Sequence, residues 1–273
     1  MREPLLIIAT GQKGVGKTYT TKQLIAQYTQ PNVSTQKKAR KVLIYDVNME
    51  YTQFKAIAAK DLKKFTMQKR IEVRRVLPRL ENGKIATIDE MMDIMNEILS
   101  SYAGGLLVLE DINRYLIGTQ TQDIIGTIAT NRHRDLDIVI HLQSLAAVTP
   151  RMWQNTSVVR FHKQMDAIDR YTNRIPYFEI LKIAQILVET QFENGNIRFF
   201  CYVSGDESYV KGDFSNNSFR LACQEYAEKY PKELKLAIQR LGGGGKNKLE
   251  NRAKALSSIT DSLVKKYNGN KSK

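Results

Sequence analysis

The chain has 273 residues, 42% of them hydrophobic and 26% charged, which is enough apolar material for one α/β core with a short appendage and gives no sign of a second large domain. Forty-two Lys and Arg against 28 Asp and Glu leave a formal charge of +14, favouring a polyanionic partner such as nucleic acid over an acidic protein. With only Cys201 and Cys223, neither a disulfide framework nor a zinc site is indicated, and with no apolar run near the ~18 residues of a membrane span no transmembrane segment is expected.

The N-terminal stretch lacks the layout of a signal peptide, so a protein of the reducing cytoplasm is expected. Short β-rich runs then alternate with helical ones, the pattern of a parallel sheet covered on both faces. The first expected strand, over residues 5–10, leads into Gly11-Gln12-Lys13-Gly14-Val15-Gly16-Lys17-Thr18, and a helix runs from Lys17 through Tyr19 to about Tyr28. This is the G-x-x-x-x-G-K-[ST] pattern in its required context, after a strand and opening a helix. Glycines let the backbone curl so that successive N–H groups point at phosphate oxygens, and the helix adds its positive end. Residues 11–19 are therefore expected to bind ATP, with Lys17 reaching the β- and γ-phosphates and the Thr18 hydroxyl ligating Mg²⁺.

Further strands are expected at 42–46, 71–76, 106–109, 137–142 and 157–161, mostly as continuous apolar runs, which implies burial on both faces. A helix is expected over 88–102 behind a Thr87 cap with Glu90 three residues on, and another over 122–132. The strand ending at Leu109 delivers Glu110 and Asp111 to its C-terminal end, where ligands collect in open α/β sheets. One carboxylate would hold the Mg²⁺ shell and the other polarise the attacking water, in either assignment, and Asp111 also suits a helix N-cap.

Asn194-Gly195-Asn196 separates 186–193 from 197–203 as a hairpin, or else the first arm continues a helix from near Tyr177. Gly242 to Gly245 reads as a flexible linker. Beyond it, residues 246–273 carry eight basic and two acidic side chains. Leu249, Ala253, Leu256, Leu263 and Tyr267 are spaced for one amphipathic helix, the alternative being a disordered solubilising tail. The expected organisation is an ATPase domain over 1–241, the linker at 242–245 and the basic tail at 246–273.

Four places resemble the HerA/FtsK superfamily of DNA-pumping P-loop ATPases, which includes genome-packaging ATPases of tailless and membrane-containing viruses. They are the Gly11 to Thr18 run; the segment from Val42 to Tyr51, where Asp46 is followed by Glu50-Tyr51; the acid-bearing strand and turn from Leu109 to Leu116; and the segment from Asn131 to Ser144. In the third, the family's usual order of Asp then Glu is inverted. The resemblance implies a RecA-like P-loop NTPase with a mostly parallel central sheet flanked by helices. It also implies that Gln143 senses the γ-phosphate and that Arg132 or Arg134 serves as a finger into a neighbouring subunit's site, though both arginines also suit the capping of a helix C-terminus.

A hexameric or pentameric ring follows from such a finger, as does DNA gripped through its phosphates without sequence readout. The implied activity is ATP-driven packaging of a genome into a capsid, in the cytoplasm or on the virion, with the tail docking on capsid or portal-vertex proteins or a neighbouring subunit. Two other groups share features. Lys13 to Thr18 and Asp46 are similar to ParA/MinD-type switch ATPases, whose signature lysine would fall at Gln12. Filamentous-phage assembly ATPases of the Zot group usually carry a membrane segment after their core. The basic stretch of Lys60, Lys63, Lys64, Lys69, Arg70, Arg74 and Arg75 reads as a solvated face. His133, His141 and His162 receive no catalytic role, and Trp153 is expected in the core.

Overall fold

A computed structural model describes residues 3–112, 126, 134–241 and 248–270. The chain divides into two compact units, Met1–Val158 and Val159–Lys273. In the first, β1 (Leu6–Thr10) leads to α1 (Lys17–Thr29), followed by β2 (Lys41–Tyr45), the two-residue β3 (Lys55–Ala56), α2 (Leu62–Met67) and β4 (Val73–Val76). Then come α3 (Ile88–Ser101), β5 (Gly105–Leu109), β6 (Asp137–Leu142) and the short α4 (Pro150–Asn155), which buries Trp153. The expected helix over 122–132 lies outside the described residues, apart from Gly126.

The strands of this unit lie in the order β3-β4-β2-β5-β6-β1. Every pairing among them is parallel, in register Leu43↔Leu107 and Ala9↔His141 for example. The continuous apolar runs are explained by two covered faces. Ile7, Ala9, Val42, Ile44, Leu106 and Val108 pack with Ile25 and Tyr28 of α1 on one side. On the other, the Tyr45 hydroxyl donates to the Met91 carbonyl of α3 at 3.2 Å. The predicted capping box of α3 is present: Thr87 N donates to Glu90 Oε2 at 2.7 Å, and Glu90 N to Thr87 Oγ1 at 3.4 Å.

At the N-terminal ends of the strands, buried Asp137 gathers three donors: Leu5 N at 2.7 Å, the Tyr28 hydroxyl at 2.8 Å and Arg40 Nη1 at 2.7 Å. A buried carboxylate is tolerated when paired and bonded in this way, and here it pins β1, α1 and β6 together. The basic stretch is only partly a solvated face. Arg75 is largely buried and bonds Asp46, whereas Lys60 and Arg70 make exposed ion pairs with Glu81 and Glu72.

The second unit begins within β7 (Val158–His162) and contains α5 (Phe178–Glu193), β8 (Phe200–Ser204), β9 (Val210–Gly212), α6 (Asn216–Lys229), α7 (Lys232–Arg240) and α8 (Lys248–Tyr267). Residues 186–193 are the end of α5, so the Gly195 turn closes a helix and the hairpin reading is corrected. Ile180 to Val188 is buried on every side of the helix, and that erases the 3.6-residue periodicity which would have marked it. The antiparallel pair is instead β8 with β9, in register Cys201↔Gly212.

The tail helix exists as α8, while the linker at 242–245 lies outside the described residues. Its apolar stripe is offset from the expected one. Ala255, Leu263 and Tyr267 are buried, whereas Leu249 is 83% exposed. That face packs on α6 and α7 of the same unit. Tyr267 donates from its hydroxyl to Glu179 Oε1 at 2.5 Å, Arg220 pairs with Asp261, and Gly269 N donates to the Val210 carbonyl at 2.8 Å. No helix among the described residues is long and apolar enough to cross a membrane.

Candidate nucleotide site

The parallel arrangement sends the C-terminal ends of β1, β2, β5 and β6 to one edge of the first unit's sheet, and the predicted chemistry collects there. Gly11, just after β1, donates its N–H to the Leu142 carbonyl at the end of β6, at 3.2 Å. Gln143 follows immediately and is exposed beside the loop. Gly14 and Gly16 hold φ of 86° and 89°, a region that side-chain-bearing residues rarely enter, so the loop can curl only because glycine stands at both places. Gly16 is the N-cap of α1, with no side-chain cap and no acid in the first turn. The positive end of α1 therefore has no anionic side chain of its own against it.

Lys17 lies along the loop, its Nζ donating to the carbonyls of Gly11 and of Gln12, the latter at 2.9 Å. Val15 is buried and anchors the loop, while Lys13 and Tyr19 are exposed. The Thr18 hydroxyl donates to Glu50 Oε2. Glu50 arrives from the segment after β2, and its path is built by Asp46. That buried carboxylate accepts Glu50 N at 2.8 Å, Tyr51 N at 3.1 Å and Arg75 Nη1 at 2.8 Å, while Met49 turns the chain at φ 57°. Lys22 of α1 steadies the same segment, donating to the Glu50 carbonyl at 2.9 Å.

Glu110 sits at the end of β5 and is 2% exposed. Asp111, at φ 42°, accepts Asn48 Nδ2 at 2.6 Å. Burial raises the Glu110 carboxyl, and the charges of Glu50, Asp46 and Asp111 add to it, against a bond from Tyr51; together they push it up to about 8. This concentration of acids beside Thr18 suits a divalent cation, whose charge would relieve their repulsion. No set of three His, Cys, Asp or Glu among the described residues is arranged as a metal cage. Mg²⁺ does not need one, because it is held by one or two carboxylates, a hydroxyl, waters and phosphate oxygens.

A family model described as an AAA domain matches residues 1–148, more than half of the chain. The chain belongs to that family. It is an AAA-type P-loop NTPase, and its fold has solved counterparts. B204, the DNA-packaging ATPase from Sulfolobus turreted icosahedral virus, superposes with a TM-score of 0.50 at 14% identity, covering 77% of this chain and 97% of B204. The genome packaging NTPase B204 from Sulfolobus turreted icosahedral virus 2, in complex with AMP, gives 0.50 at 14% identity over 78% and 98%. The N-terminal domain of zonular occludens toxin from Neisseria meningitidis gives 0.35 at 15% identity over 58% and 76%, too loose to bear on the fold. No curated protein matches the sequence.

Within the AAA unit, the loop residues 11–18, Glu110, Asp111 and Gln143 are thus at one strand edge. Arg134 is not: it precedes β6, at the opposite edge, and donates to the Ser100 carbonyl at the end of α3 at 2.7 Å. Arg132 and His133 lie outside the described residues. The sequence assigns no role to Glu50 beyond the resemblance and none to His141, which is buried against Thr21 and Glu110. The Asp46-x-x-x-Glu50-Tyr51 spacing at a strand end was the available signal for Glu50. For His141 it was a lone imidazole after the apolar run Ile138 to Ile140.

Glu110 carries a prediction of its own. Its carboxyl is neutral in both folded and unfolded chains well below the ordinary value of 4.5, so it costs nothing there. Between 4.5 and about 8 the folded protein keeps a proton that the unfolded chain releases, and stability falls as pH rises through that window. Glu110→Gln should therefore gain at least ~3 °C in melting temperature on the wild type between pH 5.5 and 8.5, without nucleotide or magnesium. Parallel melting curves across that range would mean that the carboxyl is not buried as described.

Proposed function

We propose that this AAA protein hydrolyses Mg-ATP and couples hydrolysis to the movement of DNA, as a genome-packaging motor. The observation that carries the reading is the meeting of the Gly11–Thr18 loop with the carboxylates of Glu50, Glu110 and Asp111 and with Gln143 at one strand edge. In this reading the loop amides and Lys17 hold the phosphates. Thr18, with Glu110 or Glu50 behind it, would hold Mg²⁺, which supplies charge neutralisation for the leaving phosphates. Asp111, held by Asn48 and less buried than Glu110, orients and deprotonates the attacking water, and Gln143 contacts the γ-phosphate. Arg132 or Arg134 reaches a neighbouring subunit's site in a ring.

Coupling to DNA is supported by the charge of +14, which suits a phosphate backbone gripped without sequence preference, and by the fold shared with the B204 packaging ATPases. Steady-state hydrolysis measured with and without long duplex DNA tests it. A rise of about 5-fold or more that disappears at high salt is expected, together with an ATP-dependent ring by sedimentation. Hydrolysis indifferent to DNA in rings, or an ATP-dependent dimer with no larger species, would overturn the motor and leave a nucleotide switch.

A further inference from the structure

Strand β6 lies between β5, which is followed by Glu110, and β1, which runs into the phosphate loop. Its residues Ile138, Val139, Ile140 and Leu142 are apolar and buried, and among them stands His141, itself only 2% exposed. An imidazole in such a place costs free energy unless its nitrogens are matched. Here one ring nitrogen faces each of the two neighbouring elements. His141 Nε2 is 2.8 Å from the Thr21 hydroxyl, on the helix that opens with Lys17 and Thr18, and Nδ1 is 3.3 Å from Glu110 Oε1. With one nitrogen facing the Glu110 carboxyl and the other the Thr21 hydroxyl, each side of the ring has a hydrogen-bonding partner within reach.

We propose that His141 is a positioning residue for hydrolysis, bridging Thr21 of the nucleotide-binding helix to the Glu110 carboxylate so that the acid is aimed by the same helix that holds the phosphates. The proposal rests on the role given to Glu110 above. In this role His141 acts on the reaction only through Glu110, by fixing the direction of Oε1. An imidazole here thus links α1 to the end of β5, and its rigid ring sets the spacing between them.

The test compares His141→Phe, which keeps the volume and loses both contacts, with His141→Asn, which keeps a donor towards Glu110. Turnover, affinity for a fluorescent ATP analogue and melting temperature are read for each. His141→Phe is expected to lower kcat about 10- to 100-fold with analogue affinity changed less than ~3-fold, and His141→Asn to regain most of the loss. Because His141 acts through Glu110, adding His141→Phe to Glu110→Gln should slow turnover no further. Thr21→Val, a milder change should the buried Phe disturb folding, is expected to lower kcat about 3- to 10-fold at unchanged analogue affinity.

Equal losses in Phe and Asn, parallel losses in kcat and affinity, or additivity with Glu110→Gln would each overturn the bridge and leave His141 as core packing. Unimpaired kcat in Thr21→Val together with His141→Phe would do the same. If Glu110→Gln alone turns over at the wild-type rate, the reading of the site has failed instead, whatever the histidine does.

Discussion

Lys17→Ala is expected to lose at least ~10³-fold in ATP turnover while keeping its melting temperature within about 3 °C. Two losses combine. The ammonium is expected to follow charge onto the β- and γ-oxygens, and in the structure the same group ties the loop to itself through the Gly11 and Gln12 carbonyls. Affinity for ATP should fall by about 10- to 100-fold, less than turnover, because the backbone amides and the end of α1 still bind phosphate. The fold should survive because Lys17 is partly exposed and its bonds to Gly11 and Gln12 stay within the loop. Lys17→Arg keeps the charge but not the compact ammonium, and is expected to recover binding far more than turnover. Turnover by Lys17→Ala within 10-fold of wild type would remove the loop from the chemistry.

The second large effect concerns stability. Deleting residues 248–273 is expected to lower the melting temperature of the transition that reports the second unit by more than ~10 °C, or to give insoluble protein. Helix α8 places Leu263 and Tyr267 in the interior of that unit, and burying such side chains stabilises by about 1.5–3 kcal/mol each. The clasp beyond the helix adds Gly269 N to the Val210 carbonyl, and Asn270 Nδ2 to the Gly212 carbonyl at 2.6 Å, closing on β9. Tyr267→Ala alone should cost about 3–5 kcal/mol, whereas Leu249→Ala, at a position 83% exposed, should be neutral within about 0.5 kcal/mol. A truncated protein that melts like the full chain would show that α8 is an appendage after all.

The features that were legible in the sequence are those whose chemistry is local. The loop from Gly11 to Thr18 announces itself because glycine spacing, the lysine and the hydroxyl are all needed within eight positions, and the Thr87 and Glu90 box because its two partners are one helical turn apart. The buried strands were equally plain, since five-residue apolar runs between turn signals have few other uses. Glu50 was not, because its approach to Thr18 depends on a left-handed bend at Met49 and on amides held by Asp46, neither of which leaves a pattern in composition. The second unit was the least readable. A helix buried all round carries no periodicity, β9 is three residues long, and the stripe on α8 is decided by what α6 and α7 present to it, not by where its leucines fall.

Asp46 has one further consequence. Its carboxylate is shared between the amides that aim Glu50 and the guanidinium of Arg75, and Arg75 rides on β4, the strand next to the sheet's short margin at β3. Sliding β4 along its own axis would draw that guanidinium away, slacken the turn and swing Glu50 off the threonine beneath it. Load applied at the rim of the sheet would thus reach the turn that aims Glu50 through this ion pair, alongside the Asp46 N to Val76 carbonyl bond at 3.0 Å that ties the same residue to β4.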